Sequence, residues 1–250
     1  MINIDKTQKL ENISSLKAKL DSYRPLSKEI VNNIHDNLVL NWTYHSNAIE
    51  GNTLTINETK VVLEGITVGG KSLREHFEAI NHKDAILYLE GLVQKKEDLT
   101  ERVIKEIHYL ILKNIDNENI GKYRAINVLI TGAEHRPPNH IHLNELMAKL
   151  MVDYKSWSDL HPVEQAARLH SEFVKIHPFI DGNGRTSRLL MNLVLMQHGY
   201  PPAVLPVSKR LEYYNALDKS HVDDDDLSDF MGLIIEIVEQ SFEPYWFALG

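Results

Sequence analysis

The most informative part of the sequence is a polar segment over residues 177–188, which reads His-Pro-Phe-Ile-Asp-Gly-Asn-Gly-Arg-Thr-Ser-Arg. Gly182 and Gly184 allow backbone N–H groups to approach an anion closely. The apolar helix predicted to follow points its positive end at the same place. Asp181 offers the hard oxygen ligand that Mg²⁺ prefers, and His177 is a natural proton acceptor near neutral pH. The segment therefore has the groups needed to hold a polyphosphate beside a base.

Two arginines strengthen this interpretation. Arg185 and Arg188 lie three positions apart in the first turn of the predicted helix, so both side chains can face the loop. Gly-Asn-Gly also occurs in ordinary turns, and His-Pro commonly ends a helix. A structural turn, however, has no need of two spaced arginines at the start of a helix. A phosphate-binding loop is therefore favoured over a merely structural one.

This segment resembles the signature of Fic-domain proteins, His-x-Phe-x-[Asp/Glu]-Gly-Asn-Gly-Arg-x-x-Arg, and every fixed position matches. The resemblance implies a mainly helical fold and the transfer of AMP from ATP to a Ser, Thr or Tyr hydroxyl of a target protein, with release of pyrophosphate. It implies that His177 is the catalytic base, that Phe179 packs to orient the loop, and that Asp181 holds Mg²⁺. Arg185 would be both a catalytic residue and a phosphate ligand. The other residues that bind the triphosphate would be Gly182, Asn183, Gly184 and, at the distal end, Arg188.

A second segment, residues 46–51, reads Ser-Asn-Ala-Ile-Glu-Gly. Ser46 and Glu50 lie four apart on one helical face, and Gly51 is placed to end the helix. The helix dipole disfavours an anion at this end, so Glu50 is either solvated or paired with a cation elsewhere. The segment resembles the inhibitory pattern of the same family, [Ser/Thr]-x-x-x-Glu-[Gly/Asn]. The resemblance implies that Glu50 pairs with Arg188 and obstructs placement of the γ-phosphate.

The only strand-like pattern begins at Ile126 and is followed by Thr-Gly and then by Pro137-Pro138, which predicts a short β-hairpin. It resembles the family's flap, which docks an extended target segment by strand addition. The alternative is an ordinary hairpin that connects two helices. The target-docking residues would be Val128, Leu129, Ile130, Thr131 and Gly132.

Tyr213 and Tyr214 follow on a later predicted helix. Adjacent tyrosines are more often half-buried packing residues than ligand contacts. The family, however, often places a tyrosine pair near adenine and ribose, so the resemblance implies that both contact ATP.

The remaining sequence predicts an all-α protein with this one small β-hairpin. An amphipathic stretch that includes Ile13, Leu16 and Leu20 ends before Pro25, and Ser27 can cap a second helix. We expect an N-terminal helical region over 1–95, which carries the inhibitory helix, and a Fic catalytic domain with C-terminal helices over 96–250. Further helices are predicted over 56–65, 73–93, 100–114, 143–157, 163–175, 185–198, 209–218 and 227–241.

Composition limits the possible partners. The 250 residues carry a formal charge of −8, which disfavours non-specific nucleic-acid binding, and they include no cysteine for a disulfide or thiolate metal site. No apolar leader or membrane-length apolar run is visible, so we expect a cytoplasmic protein without a membrane partner. The acidic run 223–226 is predicted to be solvated. ATP and a target protein are the expected partners, whereas self-modification and a homo-oligomer stay open.

Besides the transfer of a different group, such as UMP or a phosphate, two other functions remain possible from the sequence. Glu50 could orient a water molecule that removes AMP from a modified protein, which is the reverse chemistry. Alternatively, the chain could be a regulatory module that senses nucleotide with little turnover. The presence of both His177 and Asp181 favours an enzyme over this second alternative.

Overall fold

The computed structural model describes residues 2–222 and 226–250, so residues 223–225 of the predicted acidic run lie outside the described residues. The described chain is built from α-helices and three short 3₁₀ helices (His140–His142, Trp157–Asp159 and Val207–Lys209), and its longest connection runs over residues 113–139. In order the α-helices are α1 (Ile2–Asp21), α2 (Lys28–Ile49), α3 (Ile56–Leu63), α4 (Leu73–Lys95), α5 (Glu101–Leu112), α6 (Leu143–Ser156), α7 (Pro162–Ile176), α8 (Asn183–Gln197), α9 (Arg210–Val222), α10 (Ser228–Gln240) and α11 (Glu243–Leu249).

Side-chain caps fix where several of these helices begin. The hydroxyl of Ser27 accepts the N–H of Ile30 at the start of α2, as the sequence predicts. Thr55 and Ser72 each form a capping box with the glutamate three residues later, at the starts of α3 and α4. Such caps satisfy N–H groups that the first turn of a helix leaves without partners.

Helix α8 is the centre of the molecule. Its apolar side chains are buried on all sides, which is the pattern of a helix enclosed by other elements. It packs most extensively against α7 and also contacts α2, α4 and α5. The polar loop that precedes α8 is therefore held between several helices. The buried apolar residues of α8 are Leu189, Leu190, Met191, Leu193, Val194 and Leu195.

The mainly helical prediction is confirmed, but the predicted β-hairpin is wrong: no strand occurs within residues 2–222 and 226–250. The segment 126–138, called here the 126–138 loop, has a turn in which Ala133 N–H donates to Ile130 O instead of a ladder. Its two ends are joined by the side chain of Arg124, which donates to the carbonyls of Ile126 and Pro138. Pro138 and its neighbouring proline have no N–H to donate to a ladder, so the β-branched pattern does not yield a second paired strand.

The N-terminal and C-terminal parts of the chain pack together closely. Helix α4 contacts both α5 and α8, across the division predicted at residues 95 and 96, and that division stays a prediction. Helix α11 was not predicted. In the described parts of the chain, no helix combines the length and the apolar character needed to cross a bilayer.

Candidate active site

The loop before α8 is held rigidly by its own side chains. His177 ends α7 in the left-handed region at φ 50°, and its N–H donates to Phe173 O at 3.0 Å. Phe179 is fully buried and stacks on the His108 ring with 3.6 Å between centroids, so its predicted packing role is confirmed. The Asn183 side chain accepts the Phe179 N–H at 3.0 Å and donates to its carbonyl at 2.9 Å. The Asn183 side chain thus secures the loop, which leaves only its backbone N–H for the predicted phosphate contact.

His108 of α5 supports the same loop and was missed by sequence reasoning. Its Nδ1 accepts the Gly121 N–H at 3.0 Å, so the proton lies on Nε2, which donates to Asp181 O at 2.9 Å. Burial lowers the pKa of His108 to about 4, which keeps the ring neutral at pH 7. Gly182 has φ 77°, and a Cβ there would lie 3.3 Å from His108 Cδ2. Both the positive φ and this close approach require glycine.

Asp181 is ionised and paired with arginines. Arg74 Nη2 of α4 lies 2.6 Å from one carboxylate oxygen, and Gly182 N–H donates to the other at 2.6 Å. Burial alone would raise the pKa of Asp181, but Arg185, the Gly182 N–H and Arg74 outweigh it and lower the pKa. A single carboxylate suits Mg²⁺, which is commonly bound by one or two carboxylates together with substrate phosphates. Over the described residues, no three His, Cys, Asp or Glu side chains form a group that could hold a metal by themselves.

Arg185 has unused hydrogen-bonding capacity. Its side chain is only 2 % exposed, yet its nearest carboxylates, on Asp181 and Glu78, lie 3.5 Å away. Within the described structure, its Nε and Nη1 atoms are buried without a hydrogen-bond partner. Buried donors normally have partners, so two donors without a hydrogen bond at the N-terminus of α8 indicate a place for an anion.

Arg188 lies in a second, fully occupied arrangement. Its Nη2 donates to Glu50 Oε1 at 2.8 Å and to the Ser46 carbonyl at 2.8 Å, and its Nε donates to Ser46 Oγ at 3.1 Å. The structure thus shows the Glu50–Arg188 contact that the resemblance implies, with Arg188 3 % exposed and Glu50 30 % exposed. The Ser46 hydroxyl therefore supports the arginine of this pair.

Glu50 is the C-terminal cap of α2, and Gly51 continues at φ 98°, so the predicted helix end is confirmed. The Glu50 carboxylate lies over the first turn of α8. A Cβ at Gly184 would meet this carboxylate and would lie 3.2 Å from Arg188 Nη1. Gly184 therefore provides the space that an anion needs at this helix end, and Glu50 places a carboxylate in it.

The predicted tyrosine pair is divided between two roles. Tyr213 is buried, and its hydroxyl lies 3.5 Å from Arg188 Nη1 and 2.9 Å from His170 Nε2. Tyr214 is partly exposed and donates to the Ile49 carbonyl at 3.0 Å, which ties α9 to the end of α2. Tyr213 thus belongs to the surroundings of Arg188, and Tyr214 forms part of an open wall.

One cavity of about 770 Å³ opens beside these groups, and Asp181, Arg185 and Arg188 are not among the residues that line it. Its walls include Glu50, His177 and Gly184 on one side, and the 126–138 loop on another. This volume lies within the range of roughly 300–1,000 Å³ that is common for small-molecule and cofactor sites. Both tyrosines and the predicted flap residues Ile130, Thr131 and Gly132 also line it.

The two remaining flap residues point elsewhere. Leu129 is 79 % exposed, and Val128 is half-buried without lining the cavity. The predicted target-docking segment therefore has an inner part at the cavity and an outer apolar part in solvent.

His177 is a neutral base at pH 7. Burial and, to a smaller extent, the nearby Arg124 guanidinium lower its pKa to about 4. A histidine that is already neutral can accept a proton without first losing one.

The comparisons with known proteins agree with this arrangement. The pattern of the Fic/DOC family matches residues 98–195. The solved structure of Fic-1 from C. elegans superimposes with a TM-score of 0.90 at 31 % identity, over 99 % of this chain and 74 % of that chain. This chain belongs to the Fic/DOC family. A Fic domain-containing signalling protein from Bacteroides thetaiotaomicron has a TM-score of 0.82 at 32 % identity, over 93 % of this chain and 96 % of that chain.

Curated Fic relatives are longer than this chain. The protein adenylyltransferase Fic of Drosophila melanogaster is 39 % identical over 212 residues, which cover 82 % of this chain but 42 % of the relative. The Drosophila yakuba protein of the same name is 40 % identical over 82 % of this chain and 41 % of its own length. The chain thus matches less than half the length of these relatives.

Proposed function

We propose that this Fic protein transfers AMP from ATP to the hydroxyl of a Ser, Thr or Tyr side chain on a target protein, releases pyrophosphate, and is inhibited by its own Glu50. The buried and unsatisfied donors of Arg185, at the start of α8 and next to the ionised Asp181, carry this proposal. They indicate a phosphate site within reach of a cavity that His177 lines. The protein adenylyltransferase name of the Drosophila relatives supports the same reaction.

The chemistry follows from what each group can do. The target hydroxyl oxygen bonds to the α-phosphorus as the bond from that phosphorus to the bridging oxygen of pyrophosphate breaks. The neutral imidazole of His177 accepts the hydroxyl proton. The N–H groups at the start of α8 and the Arg185 guanidinium stabilise the charge that develops on the phosphate oxygens. Catalysis therefore depends mainly on placement and charge neutralisation.

The residues present fit a magnesium ion. Asp181 would hold it, and the bound ion would neutralise charge on the phosphates. Arg74 is the competing partner of that carboxylate, so Arg74 would have to withdraw from Asp181 when the ion binds.

The 126–138 loop is the proposed docking site for the target. Ile126 and Leu129 are exposed on this loop. Ile141 is exposed shortly after it in the sequence, and Leu211 is exposed among the residues that line the cavity. Exposed apolar groups beside a catalytic cavity fit an extended protein segment better than solvent. We also propose a cytoplasmic location, which the lack of cysteines fits.

The test uses the Glu50→Gly variant with Mg-ATP labelled at either the α- or the γ-phosphate, in a cell lysate and alone. AMP transfer predicts protein-bound α-label without γ-label, together with a mass increase of one AMP on the target or on the chain itself. Retained γ-label would show phosphate transfer instead. Nucleotide binding without any label on protein would favour the regulatory module.

A second function uses the same groups. The Glu50 carboxylate is partly exposed and lines the same cavity as His177, so it could orient a water molecule for the removal of AMP. Incubation of an AMP-modified target with wild-type protein separates the two functions. Release of AMP that is lost in Glu50→Gly would assign removal to the wild-type chain.

A further inference from the structure

Arg124 connects three separate stretches of backbone through one side chain. Its Nε donates to His177 O at 2.9 Å, its Nη1 to Ile126 O at 2.8 Å, and its Nη2 to Pro138 O at 2.6 Å. Its own N–H donates to Pro178 O at 2.9 Å. The side chain is 4 % exposed, and among the described residues no carboxylate forms an ion pair with it. The planar guanidinium thus uses its fork on backbone carbonyls alone.

The position of His177 explains why such a connection is needed. A left-handed conformation is strained in a residue other than glycine, and it persists only where its surroundings fix it. His177 has φ 50°. Its N–H donates to Phe173 O, and its carbonyl accepts a hydrogen bond from Arg124 Nε. Loss of the Arg124 bond would leave the carbonyl side of this conformation without a partner.

The 126–138 loop has a corresponding need. No strand pairing stabilises this loop in the described structure. Its two ends are joined by Arg124. Its turn is held by Asp218, which accepts hydrogen bonds from the N–H groups of Glu134 and His135 at 2.8 and 2.9 Å. Asp218 belongs to α9 and also lines the cavity. Arg124 therefore joins this loop directly to the carbonyl of His177, whereas the His135 ring of the loop contacts α7 earlier, at Lys175 O, 2.9 Å away.

We propose that Arg124 is a positioning residue that holds the target-docking loop and the His177 backbone in a fixed position relative to each other. This proposal rests on the proposed function, because it assigns the loop to the target and His177 to proton removal. Arg124 does not line the cavity, so its effect on ATP itself is indirect. It aligns the hydroxyl that the loop presents with the imidazole that must receive its proton.

The test substitutes Arg124→Lys in the Glu50→Gly background. Lysine keeps the charge but is a point donor that lacks the planar fork for three separate carbonyls. Self-modification by Mg-ATP is followed by intact mass, and amide hydrogen exchange is measured over the whole chain. Arg136→Lys is the matched control, because Arg136 lies in the same loop and is exposed.

We expect kcat to fall by about 10²-fold, because a misplacement of the reacting groups by roughly 1 Å has an effect of that size. The KM for ATP should be unchanged. Exchange should quicken both in the 126–138 loop and around His177, and the Arg136→Lys control should match its parent. An unchanged kcat in a folded variant, or faster exchange confined to one of the two segments, would overturn the proposal.

A substitute variant and a second measurement cover the cases in which Arg124→Lys does not fold or the parent transfers no AMP. If Arg124→Lys does not fold, Arg124→Gln replaces it, because the amide has no charge to bury. If the Glu50→Gly parent transfers no AMP at all, the proposed function fails, and hydrogen exchange still decides whether Arg124 links the two segments.

Discussion

Removal of the Glu50 carboxylate is the perturbation that most directly tests how this protein is controlled. In the structure, Glu50 forms an ion pair with Arg188, the cation that the resemblance to Fic proteins assigns to the far end of the triphosphate. Glu50→Gly leaves Arg188 with its bonds to Ser46 and its contact with Tyr213, so the guanidinium stays ordered but gains free donors. We expect AMP transfer to rise.

The size of the rise follows from the contact that ATP must displace. The Glu50–Arg188 bond is a charge-assisted hydrogen bond of 2.8 Å with a buried arginine and a partly exposed glutamate. Hydrogen bonds to charged groups contribute about 1.5–3 kcal/mol, so its removal should increase the rate by about 10- to 150-fold. The Ser46→Ala effect should be smaller and should act on Arg188, because the hydroxyl bonds to the arginine.

The assay is the initial rate of AMP incorporation at saturating Mg-ATP, with folding checked by thermal melting. Glu64→Gly is the matched control. Glu64 caps the C-terminus of α3 at φ −83°, ψ 0° before Gly65, and Glu50 caps α2 at φ −83°, ψ 1° before Gly51. The two substitutions therefore change the backbone alike, but Glu64 is exposed and has no arginine partner in the described structure.

Equal rates for folded wild type and Glu50→Gly would refute inhibition by Glu50 while leaving the transferase proposal intact. A similar rise in Glu64→Gly would attribute the effect to a looser helix end. The rate of AMP incorporation by Glu50→Gln should lie between the rates of wild type and Glu50→Gly, because its amide oxygen can still accept a hydrogen bond from Arg188 but carries no charge.

Three other outcomes are expected. His177→Ala should reduce AMP transfer by about 10²–10⁴-fold with little change in ATP affinity by calorimetry, and undiminished transfer would remove it as the base. Arg74→Ala should lower the Mg²⁺ concentration needed for nucleotide binding, since it frees Asp181, and a higher requirement would argue against competition. The melting temperature should fall as pH drops from 6.5 towards 4. Burial lowers the pKa of His108, His177 and His221 from 6.5 to about 4 in the fold, so the unfolded chain binds more protons within this window. A flat melting temperature there would contradict neutral buried imidazoles.

The phosphate loop could be predicted because its determinants are local. Residues 177–188 contain the base, the carboxylate, the glycines and both arginines, and the helix that orients them follows directly. The Glu50–Arg188 contact spans 138 residues, and only the resemblance to a family indicated it.

The residues that sequence reasoning missed are common types on ordinary helices or loops. Arg74 meets Asp181 across 107 residues, His108 meets its carbonyl across 73, and Arg124 meets His177 across 53. Nothing in their local spacing marks them, since their roles arise from tertiary packing. The hairpin prediction failed for the opposite reason, because a locally strand-like run has no partner strand in the described fold.

We expect control by Glu50 to act on the pose of ATP and to leave the entry of ATP into the cavity open. With the Glu50–Arg188 pair formed, the cavity still has about 770 Å³, which is large enough for a nucleotide. ATP can therefore bind while its γ-phosphate is denied Arg188, and saturation with ATP would fill an unproductive complex. A ligand shifts an equilibrium only by its differential affinity for the two states. We expect the base and the rest of the cavity to be the same in both states, so the difference in affinity should reside at Arg188 and Gly184. Release from inhibition should thus appear in kcat, with KM for ATP nearly constant.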